Sequence, residues 1–222
     1  MCIRDRSTNI FILKDGTAKD AITKCAGETT STADMLTAIK SEAPEVGGGY
    51  VYTCEEVMSA LAGKGCAIIQ AVSIKDSPEL SAEAEKEGEE VKSVEPDGFA
   101  IMREGFPASY TNEMQTVGIL YLTGKLKSAM LSVQDSEGNN VTLMVTGEET
   151  EFKPLERDGE TVGADITCSL SLSVEEAGGA VQLYNAQERK NLENRCGEIV
   201  LSQVMSAIEL SRACLLYTSR CV

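Results

Sequence analysis

Gly98-Phe-Ala-Ile-Met-Arg-Glu-Gly-Phe-Pro-Ala-Ser-Tyr110, running on through Thr111 to Gly124, is the stretch whose reading decides the fold. Gly98 to Met102 is extended and mostly apolar, as a strand is. Glu104-Gly105 sits where a two-residue hairpin turn belongs, since glycine takes positive φ without steric cost. Thr111 or Asn112 is placed to cap a helix, and Gln115, three past Asn112, matches a capping box. Met114, Val117 and Tyr121 recur at helical spacing, and Gly124 is placed to close the helix in the left-handed conformation. The stretch predicts strand, turn, short strand, helix.

Beyond Gly124 the pattern changes to period two. Ala129, Leu131 and Val133 alternate with Ser128, Met130 and Ser132, then Val141, Leu143 and Val145 alternate with Thr142, Met144 and Thr146 after a turn cluster at Asp135 to Asn140. Arg157-Asp158-Gly159 marks another turn, and Ile166, Cys168, Leu170, Leu172 and Val174 form the most regular alternation of the chain. Three such runs joined by short turns predict an antiparallel meander with one apolar face. From about Leu183 to Arg212 the period returns to 3.6, with Leu192, Cys196, Ile199, Val200, Val204, Ala207 and Ile208 in one broad stripe. That helix is the natural cover for the sheet, and the class is α+β. On this alternation Leu170→Asp is expected to unfold the C-terminal part, and Ser171→Asp to be nearly silent.

Upstream lies a smaller α/β unit. Ile10-Phe-Ile-Leu13 reads as a strand, and Asp15 as the cap of a helix reaching Lys24. Ser31 or Thr32 opens a second helix that closes before Pro44. Thr53-Cys-Glu-Glu56 is a capping box for a third, and Cys66 to Ile74 is a β-branched apolar strand. The Gly47-Gly48-Gly49 loop lacks the following helix N-terminus and Lys of a phosphate cradle. Asp76 to Asp97 holds nine acids and two lysines with few large apolar residues, and reads as a solvated linker.

Both ends look foreign to the fold. Met1-Cys-Ile-Arg-Asp-Arg6 is what the mosaic-end sequence of transposon-based sequencing libraries encodes, and Cys214-Leu-Leu-Tyr-Thr-Ser219 is its reverse complement. Residues 1–6 and 214–222 are therefore expected to be adapter scars that contribute nothing to packing. Without Arg4, Arg6 and Arg220 there are 17 basic residues, and without Asp5 there are 34 acidic ones, a net charge of −17 against −15 for the whole chain. Such acidity argues against nucleic acid and against direct docking on an anionic membrane. No apolar run is long enough to span a bilayer. Trimming also leaves five cysteines, Cys25, Cys54, Cys66, Cys168 and Cys196, with no C-x-x-C pair, and they read as small buried residues.

The order G-x-A, a turn, then E-x-x-x-x-G-x-L before T-G-K resembles the C-terminal domain of the C subunit of spore germinant receptors, the Ger(x)C family. The residues are Gly98, Ala100, Glu113, Gly118, Leu120, Thr123, Gly124 and Lys125. Two positions depart from the family pattern: Phe106 stands where a lysine is usual, and Met102 where a phenylalanine is. The likeness runs from Ser7 to Ala213 and is strongest from Pro96 onward. It implies a non-enzymatic subunit that contributes to germination with membrane-embedded A and B receptor subunits. It also implies a lipid anchor, on an N-terminal part that precedes this sequence, holding the protein at the outer face of the spore inner membrane. In the family the long helix leads into further chain that returns to the sheet as a strand. An unpaired sheet edge, and association through it, are therefore expected here.

The expected organisation is part of a middle α/β domain at 7–75, an acidic linker at 76–95 and a C-terminal α+β domain at 96–213. With no His in the chain, His-based triads and metal sites are excluded, and no catalytic, cofactor-binding or metal residue is assigned. The site positions are the motif residues Gly98, Ala100, Glu113, Gly118, Leu120 and Gly124, in structural or interaction roles. The alternative is a soluble α+β hydrolase or transferase with an unrecognised site.

Overall fold

The computed structural model describes residues 7–25, 31–76, 92–178 and 185–215. Its elements in chain order are β1 (Phe11–Leu13), α1 (Ala18–Lys24), α2 (Thr32–Glu42), α3 (Cys54–Lys64), β2 (Cys66–Asp76), β3 (Lys92–Arg103) and β4 (Phe106–Tyr110). Then come α4 (Glu113–Thr123), β5 (Ala129–Gln134), β6 (Asn140–Arg157), β7 (Glu160–Ala177) and α5 (Ala186–Leu215). They form a four-stranded sheet in the order β1-β2-β3-β4 and a three-stranded sheet in the order β5-β6-β7. Among the described residues only β1 and β2 run parallel. The class is α+β, with the second sheet an antiparallel meander under a long helix.

Local chemistry fixes most of the boundaries. Thr17, Ser31, Thr53 and Asn112 each close a capping box with the residue three further on, satisfying backbone donors that a helix start leaves open. The first of these differs from the Asp15 cap expected from sequence. The Thr17 hydroxyl accepts from Asp20 N and the Asp20 carboxylate accepts from Thr17 N, so the helix starts two residues later. Glu104 and Gly105 both have positive φ (51° and 86°), as do Asp158 and Gly159 (55° and 82°). Those two-residue turns match the twist of the strands they join.

The first sheet extends into the stretch read as linker. β3 begins at Lys92 and pairs with β2 from Asp76↔Lys92 to Cys66↔Arg103. The acids of that stretch keep contact with solvent and also pair with lysines: Lys92 with Asp76 at 3.3 Å, Lys75 with Glu95 at 3.3 Å and Lys14 with Asp97 at 3.2 Å. Pro96, an apparent strand breaker, sits opposite Val72 beside the bulge at Ala71, where the ladder is already irregular. Residues 77–91 of the expected linker lie outside the described residues, as do 1–6 and 216–222 of the expected scars. Cys214 and Leu215 continue α5.

Three apolar clusters hold these layers. On one face of the first sheet Val72 and Val94 pack with Ala21, Cys25 and Ile39 of α1 and α2. On the other, Ile69, Ala100 and Met102 pack with Val57 of α3. The largest cluster lies between α4, α5 and the inner face of β5 and β6, where Leu120, Tyr121, Val141, Val145 and Ala207 are all fully buried. Phe99 of β3 reaches into it, so the two sheets share a core.

The inner face is not buried along its whole length. A bulge between Val145 and Gly147 shifts the phase of β6, so that Glu148 and Thr150 follow Val145 on the inner side. Leu170, paired with Glu148, is only half-buried. The alternation in β7 is as read from Ile166 to Leu172 but ends before Val174, which is exposed beside a register shift, and the deep core belongs to β5 and β6. Val145→Asp should therefore cost roughly 3 kcal/mol or more, because its carboxylate has no water and no partner. Leu170→Asp should cost clearly less, and Ser171→Asp, on the exposed face, almost nothing. Urea unfolding of the three variants gives the order, and a Leu170→Asp loss equal to that of Val145→Asp would contradict it.

Candidate functional site

The motif residues converge on α4. Gly98 has φ of +72°, and a Cβ there would lie 2.5 Å from Thr111 Oγ1 and 2.8 Å from Thr116 Oγ1. The space belongs to a chain of hydrogen bonds: Phe99 N donates to Thr111 Oγ1 at 2.7 Å, the two threonine hydroxyls lie 2.7 Å apart, and Thr116 Oγ1 donates to Asn112 O at 2.8 Å. Thr111 N donates to Phe99 O at 2.9 Å. Both threonines are buried, so this chain is how their hydroxyls avoid a desolvation penalty. It ties β3 to the start of α4. Thr111 is recognisable from sequence as a possible cap, and nothing in the sequence singles out Thr116.

Ala100 is fully buried between β2 and β4, and Leu120 is fully buried in the main core. Gly118 lies where α4 crosses α5. A Cβ there would sit 2.1 Å from the backbone oxygen of Gln203 and 2.9 Å from Ala207 Cβ. The glycine thus serves helix–helix contact. Gly124 closes α4 at φ 61°, with Gly124 N donating to Tyr121 O and Lys125 N to Leu120 O. Glu113 is exposed in the first turn of α4, where its charge suits the helix dipole.

Thr123 and Lys125 face the first unit. The Lys125 ammonium lies 4.7 Å from the Tyr50 ring centroid, and Tyr50 meets Tyr52 edge to face at 4.8 Å. Burial pushes the Tyr52 phenol up to about 12, with the Thr123 hydroxyl as the opposing influence. The neighbouring triple-glycine loop serves packing. A Cβ on Gly49 would overlap the fully buried Gln70 side chain, whose Nε2 donates to Gly98 O at 2.9 Å and Ala71 O at 3.0 Å. Nothing in the local sequence around Gln70 signals this role, because Gly49 and Gly98 reach it only in the fold.

At the far end of the meander, Asp135 organises the β5–β6 turn by accepting from Glu137 N, Asn139 N and Asn139 Nδ2 at 2.8–2.9 Å. The start of α5 clamps the same turn. Glu188 is buried and accepts from Ser136 N at 2.9 Å, and the Arg195 guanidinium donates to the carbonyls of Gln134 and Asp135. Hydrogen bonds from Asn139 hold the Asp135 carboxyl below its ordinary value, and those from Ser136 do the same for Glu188.

An open groove of about 740 Å³ runs between β7 and α5, lined by Ile166, Cys168, Leu170, Val204 and Ile208 among others. At its inner end the Thr150 hydroxyl lies 2.6 Å from a Glu148 carboxylate oxygen and 3.3 Å from Cys168 Sγ. Burial pushes the Cys168 and Cys196 thiols up, away from the thiolate form that a nucleophile needs. Among the described residues no cluster of His, Cys, Asp or Glu is arranged to hold a metal, and no helix is long and apolar enough to cross a membrane.

Residues 97–213 match the family model described as spore germination B3/GerAC like, C-terminal. The crystal structure of the GerBC protein superposes with a TM-score of 0.60 at 14% identity, covering 93% of this chain and 54% of that one. The chain thus spans about half the length of the solved structure it matches, and at that identity the likeness concerns the fold. No curated protein matches the sequence.

Two predictions follow from this geometry. Gly118→Ala gains about 1 kcal/mol of helix propensity yet should destabilise the protein by about 2 kcal/mol net, since backbone stands where the methyl must go. Gly124→Ala, with open space around it, should cost about 1 kcal/mol, from backbone strain alone. Chemical denaturation of both separates the effects, and a neutral Gly118→Ala would disprove the close crossing. The second concerns acid. Asp135 and Glu188 have lowered folded-state pKa values, so their stabilisation is present above about pH 4 and is lost as pH falls through those lower values. Asp135→Asn should be less stable at neutral pH and lose less on acidification, as melting temperatures across that range would show.

Proposed function

From the premise that this chain belongs to the Ger(x)C family of spore germination proteins, we propose that it is part of a germinant-receptor C subunit. The observation that carries the reading is the family match over residues 97–213, the segment in which α4, the meander and α5 form one core. The GerBC likeness supports it by extending the shared fold over 93% of this chain. The family is one of receptor subunits and not of enzymes. In this reading the protein works by assembly with membrane-embedded A and B subunits, and a lipid on an N-terminal part holds it at the outer face of the spore inner membrane. An acidic surface is compatible with that arrangement, since a lipid anchor needs no basic protein surface.

The motif positions divide within this reading. Gly98, Ala100, Gly118, Leu120 and Gly124 build the scaffold, and exposed Glu113 is the one placed for contact with another subunit. The domain organisation is a proposal too: a middle α/β unit and a C-terminal α+β unit joined through the β2–β3 pairing.

The test uses the intact gene in its spore-forming host. An affinity-tagged copy, solubilised from the spore inner membrane, should bring down the two membrane-embedded subunits, and deleting the gene should abolish the response to at least one nutrient without affecting spore formation. A tagged protein that purifies alone from the soluble fraction, together with normal germination of the deletion strain, would contradict the proposal.

A further inference from the structure

We infer that the open hollow between α4, the end of β5 and the first half of α5 is the seat of a tryptophan side chain from a partner protein, carried next to a lysine or arginine. The inference does not rest on the receptor reading. It needs the hollow, an orphaned acceptor in its wall and the charge around it.

The hollow lies beside the close helix crossing. Gly118 brings α4 against the backbone of Gln203. One turn earlier on α4 stands Met114, and one turn earlier on α5 stands Ile199. With Val133 of β5 they line an open space of about 490 Å³, in which Met114 is 42% exposed. Large aromatic side chains are the usual anchors of such apolar seats.

The wall also holds a polar group without a match. The Gln203 side chain lines the hollow, and its Oε1 is buried with no hydrogen-bond partner among the described residues. A buried acceptor left open is destabilising. A small turn of the amide presents that oxygen to a donor entering the hollow. An indole answers both features, with a broad apolar body and one N–H donor. The chain contains no Trp, so a second copy cannot supply it.

Charge selects the neighbours of that tryptophan. Glu198 lines the hollow, exposed Glu113 adjoins Met114, and Asp135 and Glu188 hold the turn that follows Gln134. The cation of the wall is Arg195, and its guanidinium is already engaged by the carbonyls of Gln134 and Asp135. Carboxylates therefore dominate the rim, and they favour a segment with cationic residues beside the indole.

The test is a titration of the 222-residue chain against a blocked pentapeptide with a central tryptophan between two lysines and an alanine at each end. The peptide carries the only indole, so its emission reports binding directly. Emission should shift to the blue and saturate with a Kd at or below about 1 mM. Methyl NMR shifts should centre on Met114, Val133 and Ile199. Glutamates in place of the lysines should weaken binding at least about tenfold, and rising salt should weaken the lysine peptide. A naphthyl side chain, which lacks the N–H, should bind about fivefold more weakly. Gln203→Ala should weaken the tryptophan peptide about fivefold and leave the naphthyl peptide unchanged, which a merely structural role for Gln203 would not do. Met114→Lys, at an exposed position, should weaken both about tenfold. No saturable binding, equal affinity for the glutamate peptide, shifts centred elsewhere, or an equal effect of Gln203→Ala on both side chains would overturn the inference. So would N-acetyltryptophanamide binding as tightly as the lysine peptide, because the occupant would then be a small aromatic molecule.

Discussion

The backbone of α4 touches the backbone of α5 at Gly118, and the rest of the structure depends on that approach. Thr116 to Tyr121 are buried without interruption, so α4 has no solvent face along its middle. A helix in that position needs neighbours on every side. It has β3 attached at its start through Thr111 and Thr116, the meander beneath it, and α5 across it. A side chain of any size at Gly118 would lift α5 from the seat that lets Cys196, Val200, Val204 and Ala207 cover β5 and β6. The loss of helix propensity at one residue is small against the apolar area which that seat encloses.

The same contact makes the two sheets one packing unit. Phe99, at the centre of β3, belongs to the core of the second sheet while its neighbour Ala100 belongs to that of the first. The linker after α4 returns to the first unit, where Lys127 N and Ser128 N donate to Pro44 O. These ties lie on both sides of the expected linker, so the unit boundary drawn from composition is bridged by a shared sheet and a shared core.

What could be read from the sequence was local. Capping pairs, two-residue turns and the two periodicities each depend on residues within a few positions of one another, and they yield the meander, the long helix and the hairpin at Glu104-Gly105. What could not be read depends on distant partners. The pairing of Asp76 with Lys92 and of Glu95 with Lys75 becomes visible only once β2 and β3 lie side by side. The bulge after Val145 comes from the register with β7, and it moves the end of the buried face away from Leu170. Gly49 and Gln70 are each unremarkable alone and meet only in the fold. Of the motif positions, Glu113, Gly118 and Leu120 lie in α4 and Gly124 caps it, and nothing near Gly118 in sequence shows that it faces another helix.

The central claim is that α4 joins both sheets into one cooperative structure, and native-state hydrogen exchange under low denaturant tests it most directly. The account predicts that the slowest amides of β2, from Ile69 to Val72, share one opening free energy with those of α4 and of β6, from Val141 to Val145. Exchange of the β2 amides through a separate opening of distinctly lower free energy, with α4 and β6 still protected, would show that the first sheet folds independently and would contradict it.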